Sequence, residues 1–253
     1  MKIDKRAYTA LVTPFLDDDD RSIDYDALKN LIDIQVENGL GLVILGTTGE
    51  TPELKNNERK QIIELAIKKA KDRVPILIGT GEISLDETIN NTIYAQESGA
   101  DAVLITPPPY TKPTPEGIYR GFKEIVELTE IPIVVYNVPS RTSRNIPASL
   151  LKRISRLDEK IIGVKEASGD INQMMDMRAN LPSDFFIFSG DDSLTLPMLS
   201  LGASGVISVV SNLYPKKVKR IVDDYFSGES DFARDTHYKL LPFTRAIFNE
   251  TNP

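Results

Sequence analysis

Four kinds of side chain in this sequence could act on a small carbonyl compound, and each falls in or just after a short apolar run. Lys165 closes IIGVK, Tyr136 lies in IVVYN with Arg141 after it in VPSRT, Thr47 and Thr48 follow GLVILG, and Tyr110 follows AVLIT in TPPPYTKP. An isolated ammonium in a buried strand is costly, so such a lysine pairs with an acid, escapes to solvent or gives up its proton. The third course makes a nucleophile. Its amine attacks a ketone, and the Schiff base then draws electrons from the neighbouring carbon, so that C–C bonds form or break. The carbinolamine needs proton transfers, for which the phenols of Tyr136 and Tyr110, linked through the Thr47 hydroxyl, are available. Arg141 can hold a carboxylate through two parallel hydrogen bonds. The set specifies condensation or cleavage of a keto acid.

Each residue also has a plainer reading. Lys165 could pair with Glu166 or reach solvent, Tyr136 could be core packing, and Arg141 could be a surface ion pair. Glu50 and Glu166 could form the carboxylate pair of a glycosidase, although nothing in their spacing demands it. Asp191 and Asp192 could hold magnesium, but a helix N-cap in SGDDS explains them more simply.

Eight apolar runs must position these groups: YTALVT (8–13), GLVILG (41–46), PILIGT (75–80), AVLIT (102–106), IVVYN (133–137), IIGVK (161–165), FFIFSG (185–190) and GVISVV (205–210). They are continuously hydrophobic rather than alternating, as parallel strands covered on both faces are. Helical patterns separate them. Leu85, Ile89 and Ile93 form a stripe behind a capping box of Ser84 and Glu87; Ile118, Phe122, Ile125 and Val126 form another behind Thr114 and Pro115; Asp170 with Gln173 opens a third. Eight strand-helix units in 253 residues predict an α/β fold, a (β/α)8 barrel over residues 1–226, followed by a short helical extension over 227–253; a doubly wound sheet is the alternative. In a barrel the chemistry sits where strands end, and there the reactive residues lie.

Composition removes whole classes of function. The absence of cysteine excludes disulfides, thiolate nucleophiles and iron–sulfur clusters, and a single histidine, His237, in a solvated helical pattern makes a histidine metal cluster or serine–histidine pair untenable. A net charge of −7 with no basic cluster argues against nucleic acid and anionic membranes as partners. No apolar stretch reads as a signal peptide or membrane span, so a cytoplasmic protein is expected.

The motifs TALVTPF, GLVILGTTGETPEL, VPILIGTG, YTKPTPEGIYRGF, IPIVVYNVPSRT, IIGVKEASGD, FSGDDSLTLP, GASGVISVVSN and LLPFTRAIFNETNP occur in that order along almost the whole chain. In this the sequence resembles the pyruvate-dependent lysine Schiff-base aldolases, most closely the dihydrodipicolinate synthase family. The resemblance implies Lys165 as the Schiff-base lysine and Thr47, Tyr110 and Tyr136 as a proton relay, Tyr110 reaching into a neighbouring subunit. It implies Thr48 as a binder of the pyruvate carboxylate, Arg141 as receptor for the second substrate's carboxylate, and Ile207, by its backbone, and Gly190 facing the substrates. The implied partners are pyruvate and L-aspartate 4-semialdehyde, the implied assembly a homodimer or a homotetramer built as a dimer of dimers, and no metal or organic cofactor is needed.

N-acetylneuraminate lyase and 2-keto-3-deoxy sugar acid aldolases share the lysine and the pyruvate half-reaction, but Arg141 and the Thr47–Thr48 pair favour the synthase. A catalytically silent keto-acid-binding barrel is the rival of another class. Two departures stand out: the sequence ends at ETNP where the family continues with IPVK and further helices, which is expected to reflect a short or truncated form, and Pro109 stands where several relatives have a second tyrosine. With Ile83, Asn56 and Arg59 also changed in the family's inhibitor pocket and only Glu87 kept, weak inhibition by lysine is expected.

Overall fold

A computed structural model describes residues 2–252; Met1 and Pro253, the outermost residues of the two predicted segments, lie outside it. Eight parallel strands close into a barrel in sequence order. They are β1 (Arg6–Ala10), β2 (Gly41–Ile44), β3 (Ile76–Gly79), β4 (Ala102–Ile105), β5 (Ile133–Asn137), β6 (Ile161–Glu166), β7 (Phe186–Ser189) and β8 (Gly205–Ser208). The helices are α1 (Tyr25–Glu37), α2 (Asn56–Ala70), α3 (Leu85–Ser98), α4 (Pro115–Leu128), α5 (Pro139–Thr142), α6 (Ala148–Ile154), α7 (Ile171–Asn180), α8 (Thr195–Ser200), α9 (Pro215–Phe226) and α10 (Ser230–Ile247). The barrel expectation holds. Among the described residues no helix is long and apolar enough to cross a membrane.

Continuous apolar strands are required because both faces are covered. Tyr8, Val43, Leu77, Leu104, Val134 and Phe188 fill the barrel interior. Ile44, Ile76, Ile105, Val135 and Ile187 face outward against the helices. Most apolar runs outlast their strands by one or more residues, because the chain breaks pairing to enter the loops at the barrel mouth: after β2, Leu45 takes a left-handed conformation (φ 56°) and residues 47–49 form a tight turn. Asn212 helps close the seam, its Nδ2 donating to Ala10 O at 2.8 Å and its Oδ1 accepting from Val12 N at 3.2 Å.

The helix-start signals act as expected on one side only. Ser84 accepts from Glu87 N (3.4 Å), Thr114 from Gly117 N (3.1 Å), and Asp170 from Asn172 N (2.8 Å) and Gln173 N (3.3 Å). The returning arm is absent at Asp170: Gln173 turns its amide toward Glu166 and Asn145, while Asp170 N donates to Ser168 Oγ. His237 also departs from expectation. It is buried rather than solvated, because α10 folds back against α8, α9 and the turn at 192–194.

Strand β6 carries an irregularity that decides the site. Ile133 pairs with Ile161 but the next residue, Val134, pairs with Gly163, so one residue of β6 is skipped. Ile161 belongs to the outer core, whereas Ile162 packs in the interior and Gly163 lies beside the interior Phe186. Such a bulge resets the alternation of the strand. Without it, Lys165 would share the outward face of Ile161; with it, Lys165 pairs with Tyr136 and Phe188 on the inward face. Gly163 is needed there because a β-carbon would lie 2.8 Å from both the Cβ and carbonyl oxygen of Phe186.

Candidate active site

A cavity of about 400 Å3 opens at the carboxyl ends of the strands. Six of the eight predicted site residues line it: Thr47, Thr48, Tyr136, Arg141, Lys165 and Gly190. Lys165 is only 5% exposed, and its Nζ lies 4.3 Å from the centre of the Tyr136 ring. Among the described residues no carboxylate pairs with it. Glu166 cannot, since it points out of the barrel and accepts from Ser168 N (2.6 Å), Asn137 Nδ2 (2.9 Å) and Gln173 Nε2 (3.2 Å). The glycosidase-type carboxylate pair fails for the same reason, as Glu50 is exposed on its loop.

Gly190 approaches the lysine closely. Its N–H donates to Glu166 O at 2.7 Å, and a β-carbon there would lie 3.1 Å from Lys165 Cε and 2.6 Å from Ala167 Cβ. Arg141 is half-buried and forms no ion pair among the described residues; its Nη2 donates to Thr251 O (2.8 Å) and Asn252 Oδ1 (3.1 Å). A second cavity of about 280 Å3 shares Thr47, Tyr136, Val138 and Arg141 with the first and continues toward Ile83 and Pro109.

Two predicted residues, Tyr110 and Ile207, do not line the cavity. Tyr110 is 84% exposed, on a turn where it and Lys112 are both left-handed (φ 67° and 50°). Its hydroxyl makes no hydrogen bond to Thr47 or Tyr136, and those two are not bonded to each other among the described residues. Ile207 has its side chain packed in the barrel interior.

The acidic pair divides its labour. Asp191 is the cap, accepting from Ser193 N (2.8 Å) and Ser193 Oγ (2.7 Å). Asp192 is buried and accepts from Ser208 Oγ (2.5 Å), Val209 N (2.8 Å) and Val210 N (3.2 Å), tying the β7–α8 turn to the end of β8. Burial pushes its carboxyl above the usual range.

Sequence reading missed one wall entirely. Thr244, Arg245, Phe248 and Thr251, from α10 and the residues after it, line the cavity. They lie some eighty residues from Lys165 in sequence, and no local pattern points them at it.

Known proteins bear on this arrangement. Residues 4–253 match the model of the dihydrodipicolinate synthetase family. The 4-hydroxy-tetrahydrodipicolinate synthase of Protochlamydia amoebophila is 47% identical, over 98% of this chain and 83% of its own length. Among solved structures, the 4-hydroxy-tetrahydrodipicolinate synthase of Methylacidiphilum fumariolicum SolV superposes with a TM-score of 0.96 at 41% identity, covering 100% of this chain and 83% of that one. A monomeric dihydrodipicolinate synthase variant superposes at 0.95 with 38% identity, over 99% and 84% of the two chains. Shared sequence and shared fold run together along essentially all of the chain, which belongs to the dihydrodipicolinate synthetase family.

Proposed function

We infer that this chain is a lyase that condenses pyruvate with L-aspartate 4-semialdehyde, giving 4-hydroxy-tetrahydrodipicolinate and water on the route to diaminopimelate and lysine. Lys165 attacks the ketone of pyruvate and water leaves, forming an imine. Loss of a proton from the adjacent methyl gives an enamine whose carbon attacks the aldehyde. The amino group of the second substrate then displaces Lys165 and closes the ring, returning the lysine free. Tyr136, beside the amine, carries protons for these steps with Thr47, and Tyr110 completes the relay from a second copy of the chain. Thr48 receives the pyruvate carboxylate, Arg141 receives that of the semialdehyde, and Gly190 and the Ile207 backbone shape the pyruvate end.

The observation that carries this reading is a deeply buried lysine with no acidic partner among the described residues, over a tyrosine ring and in a cavity that also holds an arginine. A homodimer or dimer of dimers is supported by the exposure of Tyr110 and Ile83, which would suit a surface covered by another subunit. A cytoplasmic site of action belongs to the same reading.

Borohydride reduction in the presence of pyruvate, followed by intact-mass measurement and peptide mapping, tests the assignment. The mass should rise by one reduced pyruvate adduct on Lys165, and Lys165→Ala should abolish it. No adduct would favour a silent keto-acid-binding barrel, and an adduct on another lysine would end the assignment of Lys165. Turnover with L-aspartate 4-semialdehyde, but not with sugar acids, separates the synthase from the sugar-acid lyases.

A further inference from the structure

We propose that Glu166, acting through Asn137, is a positioning residue that holds the Arg141 loop in register with Lys165 and Tyr136. This rests on Arg141 being the receptor for the second substrate. Strand pairing sets Tyr136 opposite Lys165 and Asn137 opposite Glu166. Each reactive residue therefore has a polar neighbour facing the other way, out of the barrel. Glu166 is 3% exposed and has no cation partner among the described residues. A buried, unpaired carboxylate is expensive and is weak evidence for stability as such. Its hydrogen bonds show what it organises.

Asn137 ends β5, and the loop carrying Arg141 begins at the next residue, Val138. That loop returns to the same asparagine: Ile146 N donates to Asn137 Oδ1 at 2.9 Å. Asn137 thus holds both ends of the loop, one covalently and one by hydrogen bond. Which way its amide faces is set by Glu166, whose Oε2 accepts from Asn137 Nδ2 at 2.9 Å and leaves Oδ1 for Ile146. Asn145 and Gln173 brace the arrangement: Asn137 Nδ2 also donates to Asn145 Oδ1 (2.9 Å), Asn145 Nδ2 to Gln173 Oε1 (2.7 Å), and Gln173 Nε2 to Glu166 Oε2 (3.2 Å). An amide at position 166 would present a donor as readily as an acceptor. Asn137 could then turn over, set its own NH2 against Ile146 N and release the loop. Glu166 touches neither the cavity nor the reacting atoms, so its effect reaches the chemistry only through the residues it places.

The test uses the full chain and three measurements on Glu166→Gln: the rate of pyruvate-dependent borohydride trapping, the KM of each substrate, and Tm. Trapping and the KM for pyruvate should stay within about threefold of wild type while the KM for L-aspartate 4-semialdehyde rises about tenfold, as expected when one contact made only to the second substrate is loosened. The decisive readout is the double variant. If Glu166 acts through Arg141, adding Glu166→Gln to Arg141→Ala should raise that KM by less than about twofold, since coupled positions are not additive. A purely stabilising network would lower Tm and multiply the two losses, which overturns the proposal, as does an unchanged semialdehyde KM. Should Glu166→Gln fail to fold, Asn145→Ala at an exposed position carries the same comparison. Wild-type chain that traps no pyruvate would overturn the underlying function and this assignment with it; normal trapping with multiplicative losses overturns this assignment alone.

Discussion

Replacing Gly190 by alanine adds one methyl group at the most crowded point of the site. The new carbon would stand 2.6 Å from Ala167 Cβ, 3.1 Å from Glu166 O and 3.1 Å from Lys165 Cε. Carbon pairs sit best at about 3.5–4.0 Å, so the Ala167 contact alone demands a displacement of about 1 Å. Ala167 has no side chain to swing aside. It is held by its own N–H, which donates to Asn137 O at 2.9 Å, and Gly190 N is held by Glu166 O at 2.7 Å. The strain therefore passes into the backbone after β6 or into the lysine. Overpacking of this kind costs about 1–3 kcal/mol of stability, and misplacing a reactive group by about 1 Å costs about a hundredfold in rate. Gly190→Ala should thus lower kcat/KM and the pyruvate trapping rate about a hundredfold, while Tm falls by only about 2–12 °C. Trapping kinetics, a coupled turnover assay and a thermal scan on the same preparation decide the matter. Turnover within about threefold of wild type would refute the claim that Gly190 fixes the lysine.

Arg141→Ala should cost about 2–4 kcal/mol in kcat/KM for L-aspartate 4-semialdehyde and leave pyruvate trapping nearly intact, whereas Tyr136→Phe should slow both; equal losses in both stages for Arg141→Ala would contradict the division of roles. Burial lowers the pKa of His237 from its ordinary 6.5, with Ser193 and Asp191 pulling the other way. A histidine kept neutral by the fold contributes stability that is complete above 6.5 and is lost as the pH falls toward the lowered value, so Tm should drop on acidification below 6.5 and drop less steeply in His237→Gln; parallel Tm profiles would remove the effect. Tyr110→Phe should reduce turnover in an assembled dimer, and mixing it with Lys165→Ala chains should restore activity if each site borrows a neighbour's tyrosine; no recovery would overturn the borrowing, and unchanged turnover in Tyr110→Phe would place it outside the relay. Lysine in the low millimolar range should inhibit weakly or not at all, because Pro109 and Ile83 replace polar or aromatic contacts; charge repulsion by Arg59 drops out of that expectation, since Arg59 is paired with Glu82.

What could be read from the sequence was what neighbours along the chain decide. Apolar runs such as 133–137 announce themselves because both faces of the strand are covered, and Thr114 and Asp170 announce helix starts because their partners lie two or three residues on. Lys165, Tyr136, Arg141 and the Thr47–Thr48 pair were legible as strand-end chemistry, and the structure gathers them around one cavity. Contacts decided at long range were not legible. His237 looks solvated until α10 folds back on the barrel, and Thr251 gives no sign that its carbonyl will accept a hydrogen bond from Arg141. Glu166 is a candidate partner for Lys165 on sequence alone because adjacency along the chain is visible there and the face of the strand is not. Tyr110 is a different case: it is exposed, and its proposed place in the relay requires a second copy of the chain.

The skipped residue in β6 makes the identity of the reactive group a matter of counting. With equal pairing, the inward position opposite Tyr136 would fall to Val164, and Lys165 would stand opposite Asn137 on the outward face. Inserting one residue between Ile162 and Gly163, with a single residue still skipped, should therefore set Val164 opposite Tyr136 and turn Lys165 outward, giving a barrel unable to trap pyruvate although every reactive residue is still present in the chain. Deleting Ile162, by contrast, removes the bulge and keeps Lys165 opposite Tyr136. Point substitution searches this strand one side chain at a time and leaves the count untouched. An added residue between Ile161 and Lys165 turns the whole end of the strand over at once, so in any lineage carrying this barrel the segment should accept new residues far more readily than it accepts added length.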